Sequence, residues 1–191
     1  MNEEPPVVVG VSGASGAQIA IRVLKALHDA HVPVSLVVSE GARTVLREET
    51  DLNEDALGAW ATQVYSDRDL ASPIASGSVL TRGMVVVPCS SNTVAKIALG
   101  LSDTLLTRAA AVHLKERRRL VLVPRETPLS TILLRHLTTL SELGAVVLVA
   151  SPAYYLRPKS VEETTDYLAG KVLDHLGVAH QLYRGWKAEA R

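Results

Sequence analysis

Three glycines recur at a fixed interval in the segment Val7–Gly16, whose sequence is VVVGVSGASG. Its apolar, β-branched first half predicts a buried parallel strand, because helices on both faces of a sheet leave no polar alternation. The turn that follows contains only Gly, Ser and Ala, so its backbone N–H groups can approach a ligand closely. A helix predicted directly after it, AQIAIRVLKALHDA, adds partial positive charge. The corner therefore predicts a phosphate site, with close strand–helix packing as the alternative role.

The spacing of these glycines distinguishes the corner from familiar nucleotide motifs. Gly10, Gly13 and Gly16 give G-x-x-G-x-x-G, whereas the dinucleotide fingerprint is G-x-G-x-x-G. The sequence contains no G-x-x-x-x-G-K-[ST] motif, and neither Ser12 nor Ser15 lies in a G-x-S-x-G nucleophile elbow. The predicted ligand is a mononucleotide phosphate or a similar anion.

A second polar segment, CSSNT (Cys89–Thr93), follows another apolar run, Met84–Pro88. Its hydroxyls, amide and backbone N–H groups suit a planar heterocycle or a ribityl chain, although they could also serve only as a helix N-cap. Cys89 is predicted to be a small buried residue, because no histidine lies in the segments expected beside it.

Two pairs of charged residues are candidates for handling a phosphate. Arg108 and Lys115 are seven residues apart on one predicted helix, so they project from the same face and could either clamp a phosphate or lie in solvent. Arg125 and Glu126 directly follow a predicted strand, where the carboxylate can be an acid, a base or an anchor, or form a structural ion pair.

Aromatic residues supply a further candidate group. Tyr154, Tyr155 and Arg157 form a loop in which an aromatic face could stack on a heterocycle or stabilise a carbocation. The six histidines show no metal-ligand spacing, so no metal site is predicted.

Strands that alternate with helices must position these groups. After the first strand, the apolar runs predict strands at Val32–Ser39, Met84–Pro88, Arg119–Pro124 and Ala145–Ala150, with helices between them. This alternation predicts an α/β fold with a doubly wound parallel sheet, which binds ligands beyond the carboxyl ends of its strands. The segments GVSGASG, SEG, CSSNT, RETP and SPAYY should therefore line one rim.

Helix boundaries and the region between strands are less regular. Asp103 is a candidate N-cap, and Ser160 with Glu163 predicts a capping box. Residues 51–77 show weak periodicity, with a short helix at EDALGAWA and a small-residue loop, SPIASGS, of a length typical of functional or interface loops.

Composition narrows the class of protein. The 191 residues predict a single domain (1–191) with a core at about 6–178 and a tail at 179–191 near the site or a subunit interface. Balanced charge, 20 basic and 20 acidic residues, argues against nucleic-acid binding, and one cysteine excludes an intrachain disulfide. With no signal-peptide pattern and no apolar span, a cytoplasmic protein is expected. The 47% hydrophobic content favours a homo-oligomer.

Several segments occur together in an informative order: GVSGASGA, ASPIASGS, VPCSSNTVAKIA, LLTRAA, LKERRRLVLVPRETPL and PKSVEE. From Val7 to Trp186 the chain resembles the flavin prenyltransferases, the accessory enzymes of ubiquinone synthesis and phenylacrylate decarboxylation. The resemblance implies a three-layer, flavodoxin-like Rossmann fold assembled as a homododecamer. It implies that a dimethylallyl group passes from dimethylallyl monophosphate to N5 and C6 of reduced FMN without a metal, and that a UbiD-type decarboxylase receives the prenylated FMN.

The resemblance also assigns site residues. FMN would be bound by Gly13, Ala14, Ser15, Ser39, Ser90, Ser91, Asn92, Thr93 and Arg125. The prenyl phosphate would be surrounded by Lys115, Arg125, Glu126, Tyr155 and Lys171, with Arg108 nearby and Trp186 close to the site. Glu126 would relay protons during ring closure at C6, supported by Ser15 and Glu49.

This chain departs from the family pattern at two places, and two other functions remain open. Ala153–Leu156 replaces the usual Gly-Phe-Tyr-His, and Lys171 stands where some members have arginine, which loses bidentate hydrogen bonding. An FMN-dependent peptidyl-cysteine decarboxylase would need a catalytic histidine and a Met–Asn clamp, and the sequence has no counterpart to the clamp. A non-catalytic flavin carrier would have no use for Lys115, Glu126 and Tyr155 together. The recipient decarboxylase, its pathway, and the choice between monophosphate and pyrophosphate donor are not predicted.

Overall fold

The computed structural model describes residues 4–185, which form one six-stranded, all-parallel sheet. The strands are β1 (Val7–Val11), β2 (Val34–Val38), β3 (Gln63–Ser66), β4 (Gly83–Cys89), β5 (Leu120–Pro124) and β6 (Val146–Val147). Their order, β3-β2-β1-β4-β5-β6, is the Rossmann order, so the direction of winding reverses between β1 and β4. The predicted doubly wound parallel sheet is confirmed.

Helices cover both faces of this sheet and give it three layers. They are α1 (Ala17–Asp29), α2 (Glu40–Glu49), α3 (Glu54–Gly58), α4 (Ser91–Ala98), α5 (Leu105–Lys115), α6 (Thr131–Glu142) and α7 (Val161–Leu176), with 3₁₀ turns at Pro73–Ala75 and Tyr154–Leu156. One core lies beneath α1, α2, α3 and α7, and the other beneath α4, α5 and α6. Every residue of β1, β2, β4 and β5 is buried, which explains their unbroken apolar sequences. Among the described residues, no helix is long and apolar enough to cross a membrane.

The strand predictions were wrong at the two edges of the sheet. Strand β3 lies inside residues 51–77, where no strand was predicted, because an edge strand pairs on one side only and Gln63–Ser66 is mostly exposed. At the other edge, β6 is reduced to Val146–Val147, although the apolar run predicted Ala145–Ala150. Apolar periodicity is therefore informative mainly for strands that are buried on both faces.

The N-caps also differ in part from the prediction. Thr104, not Asp103, caps α5, in a reciprocal pair with Thr107. The Asp103 carboxylate instead binds the Lys96 ammonium at 2.6 Å, so a tertiary ion pair has removed it from the helix end. The Ser160 N-cap of α7 is confirmed. The Glu163 carboxylate, however, accepts from the backbone N–H of Lys159 rather than from that of Ser160.

The ends of β1 and β4 are joined by one buried hydroxyl at the point where the winding reverses. Ser12 is 1% exposed; its Oγ donates to the carbonyl of Pro88 at 3.0 Å and accepts from the N–H of Ser90 at 2.7 Å. The two loops that begin here are thereby held at a fixed separation.

Replacing this hydroxyl should destabilise the fold. We expect Ser12→Ala to lower the free energy of unfolding by about 1–3 kcal/mol, because the N–H of Ser90 loses its buried acceptor and the carbonyl of Pro88 keeps only the backbone N–H of residue 12. Urea denaturation measures the change, and Ser141→Ala, at an exposed position on α6, is the control. Equal stabilities for the two variants would show that water replaces the hydroxyl without cost.

Candidate functional site

A cleft of about 790 Å³ opens at the carboxyl ends of the strands. Its walls are the segments that follow β1, β2, β4 and β5, as the sequence predicted for four of the five rim segments. The fifth segment, after β6, contributes Ser151 to a neighbouring depression of about 310 Å³ that shares Arg125 and Glu126 with the cleft. The site thus lies at the topological switch point, where open α/β sheets bind ligands.

The structure brings a large part of the predicted site together in this cleft. All nine residues predicted to contact FMN line it, as does Glu126: Gly13, Ala14, Ser15, Ser39, Ser90, Ser91, Asn92, Thr93, Arg125 and Glu126. The wall is mixed in character, with hydroxyls and backbone groups beside the apolar side chains of Val45 and Leu106.

Two glycines set how closely the walls approach each other. A Cβ atom on Gly13 would lie 2.9 Å from the carbonyl carbon of Gly41, and one on Gly41 would lie 3.3 Å from the Cα of Gly13. Both residues line the cleft, so the loop after β1 touches the start of α2 backbone to backbone. A side chain at Gly13 would push these loops apart.

The N-terminus of α1 does not offer the phosphate site that the sequence predicted. The carboxylate of Glu49, at the end of α2, accepts from the N–H groups of Gly16 and Ala17, each at 2.9 Å. An internal anion therefore occupies the positive end of α1. The prediction was wrong here because Glu49 is more than thirty residues distant in sequence and reaches this corner only through the packing of α2 on α1.

Glu49 is held as a carboxylate at this position. Burial acts to raise its pKa, but the Ser15 hydroxyl, the N–H groups of Gly16 and Ala17, and the charge of Arg125 together hold it below the ordinary value of 4.5. The resemblance assigned Ser15 and Glu49 to the support of Glu126, and in the structure these two supporting side chains interact with each other.

Arg125 and Glu126 each have partners on neighbouring loops. Arg125 Nε donates to the carbonyl of Ser15 at 3.2 Å. The Glu126 carboxylate accepts from the Ser91 hydroxyl and from the N–H of Thr127, both at 3.1 Å. These contacts tie the loop after β5 to the loops after β1 and β4, and they point one carboxylate into the cleft.

Arg108 and Lys115 lie outside the cleft of this subunit. They lie seven residues apart on α5, and this helix packs on the 3₁₀ turn Pro73–Ala75, where Arg108 Nε donates to the carbonyl of Ala75 at 3.0 Å. Lys115 pairs with Glu116. It lies eight residues beyond Thr107, a cleft residue, and is therefore about 12 Å further along the helix axis.

The remaining predicted prenyl-phosphate residues lie on or beside α7. Lys171 Nζ is 3.1 Å from Asp174 Oδ2, and Tyr155 belongs to the 3₁₀ turn after β6 with 49% of its surface exposed. Trp186 lies outside the described residues. A single subunit therefore does not gather Lys115, Tyr155 and Lys171 around Glu126.

Four polar residues at one end of the cleft were missed by sequence reasoning: Asp67, Lys96, Thr104 and Thr107. Asp67 directly follows β3, so the signal that would have found it is the edge strand that was not recognised. Burial raises the pKa of the Asp67 carboxyl, although the N–H of Leu106 donates to it at 2.9 Å.

Two further sequence predictions concern residues without a proposed chemical role. Cys89 is completely buried, and burial raises the pKa of its thiol, as expected for a packing residue. The basic run Lys115–Arg119 is typical in sequence of a solvated surface, but Arg118 within it donates to the carbonyls of Gly77 and Val79. Within residues 4–185, no three His, Cys, Asp or Glu side chains are grouped as a metal site would require.

Comparisons with known proteins agree on one family. A family model described as Flavoprotein matches residues 1–174. The chain is 50% identical over 182 residues to the flavin prenyltransferase UbiX of Thermoplasma acidophilum, covering 94% of this chain and 99% of the relative. It superposes with a TM-score of 0.95 on AnUbiX (PadA1) in complex with FMN and dimethylallyl pyrophosphate, at 40% identity and over 98% and 100% of the two chains. It also superposes with a TM-score of 0.93 on a dodecameric FMN-dependent UbiX-like decarboxylase from Escherichia coli O157:H7. The identity is 40%, and the match covers 96% of this chain and 100% of the other.

The Glu49 contact should make stability depend on pH. We expect Glu49→Gln to lower the free energy of unfolding by about 1–2 kcal/mol at pH 7, because a neutral amide interacts less strongly with the end of α1. A lowered pKa contributes stability above the ordinary value of 4.5, and this is lost as the pH falls through the lowered pKa. The difference from wild type should therefore shrink below about pH 4.5, as urea denaturation at pH 7 and at pH 3.5 would measure. Glu48→Gln, one residue earlier, is the control and should change little at either pH.

Proposed function

The chain belongs to the flavoprotein family of flavin prenyltransferases, and from this membership we propose how its own residues carry out the reaction. The substrates are reduced FMN and dimethylallyl monophosphate, and the product is prenylated FMN. The observation that carries the assignment of roles is the convergence of ten predicted residues on one cleft. From the same family membership, we expect the protein to act in the cytoplasm and to deliver its product to a UbiD-type decarboxylase.

The cleft fits a flavin mononucleotide in size and in chemistry. Its volume is within the range of roughly 300–1,000 Å³ that is usual for cofactor pockets. The contact between Gly13 and Gly41 leaves backbone at the wall where a side chain would intrude. Hydroxyls from Ser15, Ser39 and Ser90 suit the ribityl chain, while Val45 and Leu106 offer apolar surface to the ring system. Reduced FMN supplies the nucleophilic N5 and C6 atoms.

The flavin phosphate belongs at the end of the cleft away from Glu126. Glu49 already occupies the N-terminus of α1, whereas α2 begins inside the cleft at Glu40 and Gly41, with Ser39 as its N-cap. Lys96, whose ammonium is paired with Asp103, lies on the opposite wall. The positive end of α2 therefore favours a phosphate here.

Glu126 is the group placed to move a proton at C6. Its two oxygens are oriented by the Ser91 hydroxyl and the N–H of Thr127, so the carboxylate is fixed at the wall of the cleft. When C6 bonds to one alkene carbon of the prenyl group and closes the fourth ring, the other alkene carbon gains a proton and C6 loses one. Glu126 relays these protons, so the ring closure involves no net gain or loss of a proton. Ser15, held by Glu49 and by Arg125, borders the same space.

The prenyl phosphate is bound by three cations, of which a single subunit brings only Arg125 to its own cleft. When the allyl carbon–oxygen bond breaks, phosphate leaves with the electron pair. Arg125 and Lys115 stabilise that charge, whereas Lys171 binds the phosphate equally before and during bond breaking. Arg125 and Glu126 are exposed in the isolated subunit, and Lys115 lies at the far end of α5. We therefore expect neighbouring subunits of a homododecamer to contribute Lys115 with Arg108, and to exclude water from the allyl cation.

A non-catalytic flavin carrier and a peptidyl-cysteine decarboxylase are not favoured by these residues. A carrier needs the FMN wall alone and gives no reason for a carboxylate that is oriented by two hydrogen bonds at the open side. A decarboxylase of that class needs a histidine at the rim, and none lines the cleft among the described residues.

Removing the charge of Glu126 should separate flavin binding from ring closure. The wild type is incubated anaerobically with reduced FMN and dimethylallyl monophosphate. The released flavin should be heavier by one dimethylallyl unit, as mass spectrometry measures, and should lack the proton on C6 of the flavin, as proton NMR measures. Glu126→Gln should still bind FMN, but form the cyclic product at least about 100-fold more slowly, as usual for loss of a proton-transfer group. Glu142→Gln, exposed at the end of α6, is the control. Normal cyclisation by Glu126→Gln would remove this residue from the mechanism.

If subunits share the site, two inactive variants should complement each other. Light scattering should first give the mass of about twelve subunits. Lys115→Ala and Glu126→Gln should each be inactive as pure proteins. Co-expressed, they should recover up to about a quarter of wild-type activity, because a random assembly forms some sites with neither change. Arg117→Ala, at an exposed position beyond α5, is the control for Lys115. Absence of activity in the mixed oligomer would place Lys115 and Glu126 of each site on the same subunit.

A further inference from the structure

Asp174, on the last turn of α7, receives three side-chain hydrogen bonds. Its Oδ2 atom accepts from Lys171 Nζ at 3.1 Å and from the Tyr183 hydroxyl at 2.5 Å. Its Oδ1 atom lies 3.0 Å from His180 Nε2. The carboxylate therefore joins Lys171 to two residues of the segment that follows the helix.

The segment after α7 is packed onto the helix rather than merely lying near it. The Tyr183 ring makes an edge contact with Tyr167, with centroids 5.1 Å apart, and lies 6.0 Å from Lys171 Nζ. A Cβ atom on Gly170 would lie only 2.5 Å from Cδ1 of Tyr183. Only glycine leaves room for the ring at this position, so the sequence of α7 is fitted to Tyr183.

We propose that Asp174, itself held by Tyr183 and His180, is a positioning residue that fixes Lys171 for binding the phosphate of the prenyl donor. The inference rests on the proposed function, in which Lys171 contacts that phosphate. A lysine needs such support more than an arginine would, because its ammonium is a single charge on a flexible chain, without a planar fork that pairs with two oxygens.

The same cluster connects Lys171 to the other phosphate residue of this region. Tyr155 interacts with Tyr167, and burial together with the charge of Tyr155 raises the pKa of the Tyr167 hydroxyl. The contact between Tyr167 and Tyr183 thus lies between Tyr155 and Lys171. Burial acts to lower the pKa of Lys171, but the hydrogen bond and charge of Asp174 raise it overall, so the ammonium stays protonated.

Asp174 has two opposing effects on phosphate binding by Lys171. Its negative charge partly neutralises the Lys171 ammonium, which weakens phosphate binding, whereas its hydrogen bond orients the ammonium, which strengthens it. Both side chains are more than a third exposed, at 34% and 40%. Solvent and salt screen the charge term at this exposure, whereas the loss of a fixed geometry is not screened. Orientation is therefore expected to outweigh the charge.

The test compares Asp174→Asn with Asp166→Asn in the intact oligomer. Asp174→Asn should raise the KM for dimethylallyl monophosphate by about three- to tenfold and change kcat by less than about twofold, as loss of substrate binding alone requires. FMN affinity, followed by flavin fluorescence, should not change. Asp166→Asn, on the same helix, breaks the ion pair with Arg22 and should leave both constants unchanged. Asp174→Glu should restore part of the lost affinity.

Lys171→Met separates failure of this inference from failure of the proposed function. If Lys171→Met raises KM and Asp174→Asn adds nothing to it in the double variant, the two residues act together as proposed. If Lys171→Met raises KM while Asp174→Asn leaves it unchanged or lowers it, the positioning role is overturned and the proposed function stands. An unchanged KM in Lys171→Met overturns both assignments. Should Asp174→Asn not fold, Tyr183→Phe removes one hydrogen bond to the carboxylate and should raise KM in the same direction, and an unchanged KM there overturns the inference.

Discussion

The carboxylate of Glu49 at the N-terminus of α1 is the contact on which the site depends. In many α/β nucleotide-binding proteins this helix end faces a phosphate. Here the chain supplies its own anion, with two N–H groups bound at 2.9 Å. The positive end of α1 is thereby neutralised, so a ligand phosphate is better placed elsewhere. The same carboxylate contacts Ser15 and is close enough to Arg125 for their charges to interact, so it also organises the wall of the cleft.

The charged side chains of the cleft lie in two groups, one at each end. Glu126 and Arg125 lie at the end formed by β5, while Lys96 and Asp67 lie toward the edge formed by β3. All nine residues predicted to contact FMN line the cleft of a single subunit. The cations proposed for the prenyl phosphate are on two other surfaces, α5 and α7. In the proposed reaction, an assembly that covers the open side would both exclude water from the allyl cation and deliver the missing charge.

Most of the fold follows from patterns that are local in sequence. The buried strands are continuous apolar runs, and the rule that ligands bind at their carboxyl ends selected four of the segments that form the cleft. The edge strand β3 has no such run, so both the strand and Asp67 after it were missed. Asp103 has the side chain of a good N-cap, yet it pairs with Lys96 and leaves the cap to Thr104. Local propensity was overridden where a tertiary partner was available.

The sequence by itself determined the doubly wound sheet, the position of the rim, the burial of Cys89 and, through an ordered set of motifs, the family. These features depend on apolar periodicity, small residues in turns and residue identity, all of which are read directly along the chain. Only the tertiary structure decided that Glu49 occupies the end of α1, that Lys115 lies a helix length from the cleft, and that Asp174 joins Lys171 to Tyr183. Each of these depends on how separate elements pack in space, and hydrogen-bond partners brought together by packing leave no periodic signal in the sequence.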